Sequence, residues 1–271
     1  MTRPLWFVHL LKKTFPNVKL IAKLTRLPIL RKIIDKLLFT GDEIFYLPLD
    51  NVIEVNQSVQ DLEEIVLPSQ ILEYFINKAS YHWIMNFCIC RESMQCKNYP
   101  INLGCLFLGR AVLEINPNLG RLVSKEEALE HLRKCKEAGL VHMIGRNKLD
   151  KEWLGVRDGC QLLSICNCCP CCCLWRISPI LHPEIGKKIK RMPGIRFYVD
   201  ENCVACGTCT NGICFVDAIK IRGNIAEIDD ECRGCGRCMD VCAQKAIKME
   251  ISDDFSIKEI FNELEKLVNL K

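Results

Sequence analysis

A chain of 271 residues that is 49% hydrophobic and carries a net charge of +4 has material for one or two domains with a sizeable core. So small a charge argues against a nucleic-acid partner, and without a run of about 18 apolar residues no transmembrane helix is expected. Its 20 cysteines sit at ligand spacings in a chain too long for a small disulfide scaffold. With no apolar leader and cleavage site at the N-terminus, they point to a reducing, anaerobic cytoplasm.

Residues 1–45 form a basic amphipathic segment. Residues 1–40 hold nine Lys/Arg and a single acid, Asp35. Leu20 to Phe39 reads as a helix interrupted by Pro28, which cannot continue the hydrogen-bond ladder. Two readings stand: a helix packed on the body with solvated lysines, or peripheral docking on an anionic membrane surface or an acidic partner.

Residues 46–192 form a Cys-rich domain. A helix is expected over 69–79, with Ser69 as cap after Pro68. Next comes Cys88-Ile-Cys90-Arg-Glu-Ser-Met-Gln-Cys96, with Cys105 beyond it. Ser124-Lys-Glu-Glu127 is a capping box opening a helix from Lys125 to Ala138, which Gly139 stops. Leu140 to Ile144 and Leu162 to Ile165 read as strands. A helix followed by a strand pair is winged-helix-like, but no basic recognition helix accompanies it, so it serves as a scaffold for the cysteines that follow. These are Cys166-Asn-Cys168-Cys169-Pro-Cys171-Cys172-Cys173, six cysteines in eight residues. Consecutive cysteines point in different directions, so they cannot all reach one metal.

The leading expectation is a third iron–sulfur cluster on Cys88, Cys90, Cys96 and Cys105. A cysteine of the second group, Cys168, Cys169 or Cys172, would cap it. A zinc site and a thiol–disulfide redox site are the alternatives. Cys135 and Cys160, standing alone, are expected as small buried apolar residues. The scattered histidines are read as satisfied residues rather than ligands, and His82 is the nearest to Cys88. Arg91 is expected at the surface, with donation to cluster sulfur or an anion as its other reading.

Met192-Pro193-Gly194 reads as a hinge into residues 193–251. There Cys203, Cys206 and Cys209, followed by Cys214, are matched by Cys232, Cys235 and Cys238, followed by Cys242. The offset is 29 residues through the third cysteine and 28 afterwards, carrying Ala218-Ile219-Lys220 onto Ala246-Ile247-Lys248. Each half reads as a cysteine loop, a helical turn and an apolar strand, too short to enclose a core alone. Paired C-x-x-C units also make zinc sites, but zinc would leave the third cysteine of each run surplus. This region resembles the two-cluster bacterial-type ferredoxin domain, whose C-x-x-C-x-x-C run is a stated rule for that family. The resemblance implies two [4Fe–4S] clusters in which the fourth cysteine of each run serves the other. Cys203, Cys206, Cys209 and Cys242 would then hold one, and Cys232, Cys235, Cys238 and Cys214 the other. Two departures stand out. Four residues separate Cys209 from Cys214 where the family usually has three, and Asn211-Gly212 could absorb the extra one in a turn. Phe215 and Ala243 replace the usual prolines, and their N–H groups could donate to cluster sulfur. Residues 252–271 end the chain in an amphipathic helix, expected over 256–269.

The strings FCICRESMQC, NLGCLFLG, VSKEEALEHL, AGLVHMIGRN and ICNCCPCCCLWR are similar to those of uncharacterised ferredoxin-fused proteins of anaerobic bacteria and archaea, over most of residues 45–250. That likeness implies a distinct domain coupled to a ferredoxin and carries no reaction with it. The expected fold class is α+β. The chain has no Walker loop, Rossmann glycine pattern or nucleophile elbow, so no catalytic residue is assigned. The expected function is electron transfer with a redox partner protein. The alternatives are an oxidoreductase whose middle cluster binds substrate at an open iron, and a non-catalytic subunit of a larger redox complex.

Overall fold

The computed structural model describes residues 2–50, 68–251 and 257–270. The stretches 51–67 of the Cys-rich domain and 252–256 before the last helix lie outside the described residues. The fold is α+β.

The N-terminal segment is three helices, α1 (Leu5–Thr14), α2 (Val18–Leu24) and α3 (Pro28–Leu38). Pro28 opens α3 at its first turn, where a missing N–H costs nothing, so the chain breaks between α2 and α3. Val8 and Ala22 face the body of the protein, while Trp6, Leu20, Ile29 and Leu37 stay exposed among the lysines.

β1 (Glu43–Tyr46) leads to α4 (Pro68–Lys78), β2 (His82–Met85), α5 (Ile89–Ser93), β3 (Leu106–Leu108) and β4 (Gly120–Val123). α6 (Lys125–Glu137) starts at the capping box. The Glu127 N–H donates to Ser124 Oγ at 3.2 Å, and the Ser124 N–H donates to Glu127 Oε2 at 3.0 Å. Gly139, at φ +69°, turns the chain out of α6 into β5 (Val141–Arg146). α7 (Lys148–Leu154), β6 (Leu163–Cys168), α8 (Pro183–Gly186) and β7 (Ile189–Arg191) complete this part. The seven strands form one sheet in the order β4-β2-β3-β6-β5-β1-β7, antiparallel except for the β1–β7 pair.

The helix-then-strand-pair motif is present as α6, β5 and β6, but the strands lie in the middle of this sheet and form no protruding wing. β6 also runs further than its apolar residues suggest. Cys166 pairs with Met143 and Cys168 with Val141, so the ladder extends into the cysteines.

Strand alternation sorts the core into two sides. Phe45, Ile84, Leu106, Ile144 and Ile165 face α4, α6 and the last helix, α10 (Ile257–Leu267). Ile44, Tyr46, Val141, Met143 and Cys168 face the opposite way, with Trp175 and Ile177. Beyond β7, β8 (Ile195–Val199) pairs with β11 (Ile247–Ile251), and β9 (Ile219–Arg222) with β10 (Ile225–Ile228). Between them lies a single-turn helix, α9 (Arg237–Asp240). Met192, Phe197 and Met249 join the core of the large sheet, and Gly194 takes φ +72°, so the expected hinge is a packed turn.

One buried carboxyl ties this frame to pH. Asp42 Oδ1 accepts the Lys148 N–H at 2.6 Å, whereas Oδ2 is buried with no partner. Burial raises Asp42 from 3.8 to about 7. Between those values the folded chain holds a proton that the unfolded chain has released. Its contribution is therefore complete below about pH 4 and is lost as pH rises to about 7. Asp42→Asn, which keeps the oxygen acceptor, should flatten stability against pH across that window by on the order of 4 kcal/mol. Urea unfolding at pH 4.5 and 7.5 checks this, and an unchanged slope would refute it.

Candidate metal centres

The two C-terminal runs repeat in backbone as well as in sequence. Ala205 and Gly234 are left-handed, as are Gly207 and Gly236, and then Asp217 and Lys245. These pairs follow the same shift from 29 to 28 residues that the cysteines follow. Left-handed residues between the cysteines curl each run so that its N–H groups and thiols turn inward. Gly212, at φ +69°, has no counterpart in the second run and takes up the extra residue.

The loops bring together Cys203, Cys206, Cys209 and Cys242, which line one small cavity. Burial is the first cause that raises the Cys209 thiol, followed by its neighbours Cys203, Cys242 and Cys206. Cys214 crosses to the other run. After burial, it is the leading electrostatic neighbour raising Cys232 and Cys235, and it acts on Cys238 as well. Cys235, partly buried, is pushed up to about 12, by burial of its sulfur first. N–H groups donate to sulfur here, among them Ala218 to Cys214 at 3.3 Å, Ala226 to Cys203 at 3.3 Å and Gly234 to Cys232 at 3.4 Å.

In the Cys-rich region the expected single third site is divided. Cys96 leaves its own group and meets Cys169, Cys171 and Cys172, with all four sulfurs within 4.8 Å of one another. Cys171 lies 3.6 Å from each of Cys96, Cys169 and Cys172. Cys96 reaches them because α5 ends in a turn in which the Cys96 N–H bonds to the Arg91 carbonyl at 2.8 Å and Gln95 is left-handed. Four thiols this close match the edge of a tetrahedron around one ion, about 3.8 Å for metal–sulfur bonds of about 2.3 Å.

Cys88, Cys90 and Cys105 lie around a neighbouring cavity with Cys166, Cys168 and Cys173, which Cys169 of the tetrad also borders. The Cys90 thiol hydrogen-bonds to Cys88, lowering Cys88 and raising Cys90 well above its ordinary value. Cys168 and Cys173 are 3.3 Å apart. Cys166, Cys171 and Cys173 were not singled out by spacing. The signal that finds Cys166 is strand alternation, since residues i and i+2 put Cys166 and Cys168 on one face of β6.

Arg91 corrects its sequence reading most sharply. It is not at the surface but is fully buried, with its forked guanidinium donating to the Asn167 carbonyl at 2.7 Å and to the Leu103 carbonyl. Burial opposes its charge, but Cys88, Cys169, Cys105 and Cys168 outweigh that and hold it protonated. Cys160 is also corrected. It is exposed, in a turn where its N–H donates to Asp158. Cys135 is buried and is pushed up to about 12 by burial. His82 Nε2 donates to the Ile76 carbonyl at 2.7 Å, which places it in the core. Tyr46, fully buried, is near Cys173, Cys168 and Cys235 at once. Burial first, and then these thiols, raise it well above its ordinary value.

Among the described residues no helix is long and apolar enough to cross a membrane. No protein-family model, curated protein or solved structure matches the chain.

Proposed function

We propose that this chain is an iron–sulfur electron-transfer protein. Two [4Fe–4S] clusters would sit at the C-terminal runs, and a tetrathiolate metal centre on Cys96, Cys169, Cys171 and Cys172. The observation that carries the reading is the crossing of fourth cysteines. Cys214 joins Cys232, Cys235 and Cys238, while Cys242 joins Cys203, Cys206 and Cys209. Zinc would have no use for a third cysteine in each run, whereas a cube takes one thiolate at each of its four irons. The spread of these thiols supports the same choice. Neither quartet draws three sulfurs within 4.8 Å of one another, as the Cys96 tetrad does. The wider spacing supports a multinuclear body over a single ion at these two sites.

The protein's own groups supply the rest. The N–H groups of Ala218, Ala226 and Gly234 bring positive dipole ends to sulfur, which favours the reduced, more negative state. The Cys206 side, exposed next to Val204, is where a partner protein can approach.

Anaerobically prepared protein, titrated with a low-potential one-electron donor, should take up at least about two electrons per chain and develop the EPR signals of reduced [4Fe–4S] clusters. Protein that contains zinc without acid-labile sulfide, and takes up no electrons, would overturn the proposal.

A further inference from the structure

Beneath the N-terminal helices lies a cavity of about 370 Å3. Cys88, Cys90, Cys105, Cys166, Cys168 and Cys173 line it, the tetrad's Cys169 borders it, and Leu11, Phe15, Val18 and Phe39 close it from above. We propose that this chamber holds a multinuclear iron–sulfur cluster, separate from the Cys96 tetrad and from both C-terminal sites.

The first support is convergence. The thiols come from four parts of the chain: the entry to α5, the residue before β3, one face of β6, and the turn after it. An apolar core can be filled by valine or leucine and has no need of thiols drawn from such distant segments.

The second support is spacing. Sulfurs approach as one string and one pair: hydrogen bonds join Cys105, Cys166, Cys168 and Cys173 in succession, the last two at 3.3 Å, and join Cys88 to Cys90. No three of them lie within 4.8 Å of one another, as the tetrad sulfurs do. A lone tetrahedral ion needs its sulfurs about 3.8 Å apart, so it would collect one pair here and leave the rest. A body of iron and inorganic sulfide spans the hollow and reaches both the string and the pair.

The third support is charge. Arg91 is the cation lining the chamber, and its two hydrogen bonds go to neutral carbonyls. Its Nε is buried without a partner. A buried guanidinium needs an anion, and ionised thiolates on a metal core supply it. The apolar roof suits a cluster that sheds water and is a poor setting for a hydrated ion.

The test compares full-length wild type with Cys105→Ala/Cys173→Ala, both prepared anaerobically, for iron, acid-labile sulfide and the EPR of the reduced C-terminal sites. The variant should lose about four iron and four sulfide per chain, with the C-terminal EPR signals unchanged. A Cys96→Ala control should lose one metal ion and no sulfide. Equal iron and sulfide in wild type and double variant would overturn the proposal, as would recovery of Cys168 and Cys173 as a disulfide from anaerobic wild type. If the double variant does not fold, wild type alone decides. About 12 sulfides per chain agree with a chamber cluster, and about 8 overturn it. The first comparison is between chains with the same C-terminal region, so a failure of the two-cluster reading leaves it standing.

Discussion

Cys214→Ala should empty the site of the second cysteine run and leave the first intact, although Cys214 belongs to the first run in sequence. Cys242→Ala should do the reverse. Each change is expected to remove about four iron and four sulfide per chain. The reason is placement. Cys214 acts electrostatically on Cys232, Cys235 and Cys238, whereas Cys242 lines the cavity of Cys203, Cys206 and Cys209. Cys214→Ala also removes the acceptor of the Ala218 N–H, 3.3 Å away, so the backbone beside the emptied site should loosen. EPR of the reduced variants reads the result directly, because losing one C-terminal cluster removes the splitting that its spin imposes on the other. The crossed arrangement fails if either alanine empties the site of its own run.

Arg91→Met should destabilise the metal-free chain by on the order of 3 kcal/mol. The side chain is the largest among those fully buried, and it satisfies the carbonyls of Asn167 and Leu103. Methionine fills much of the volume but strands both carbonyls. It also leaves Cys88, the thiol most lowered around the chamber, without its cation. Arg91→Lys should recover only part of the loss, since an ammonium cannot serve two carbonyls with a planar fork. Urea unfolding under chelator and reductant measures this. A loss below about 0.5 kcal/mol for methionine would mean that the guanidinium anchors nothing.

Legibility in the sequence followed the range of the interactions. The α6 cap and its glycine stop, the break at Pro28 and the closing helix are set by residues within one turn of each other, and all could be read in advance. The offset between the two runs was equally open, since a repeat in sequence becomes a repeat in φ at Ala205/Gly234 and Asp217/Lys245. The partition of the middle cysteines was not. Cys96 and Cys88 are eight residues apart, yet the turn after α5 sends them to different centres. Which centre takes Cys166 or Cys171 depends on where β6 ends, and β5 on the far side of α6 and its turn decides that. Arg91 was misread for a related reason. Charge alone predicts exposure, and only the tertiary arrangement supplies the thiols and carbonyls that make its burial tolerable.

Tyr46 closes one end of β1, and its ring meets Phe215 edge-on at 5.6 Å. Its hydroxyl is buried without an acceptor, so the phenol stays neutral across the physiological range. Cys168 and Cys173 neighbour this ring, and so does Cys235, whose carbonyl accepts the Leu49 N–H at 3.2 Å from the same stretch of chain. Tyr46 thus neighbours thiols of both the chamber and the second cysteine run. If clusters occupy both, as proposed, an electron passing between them would meet a buried, neutral ring where little solvent has to reorient.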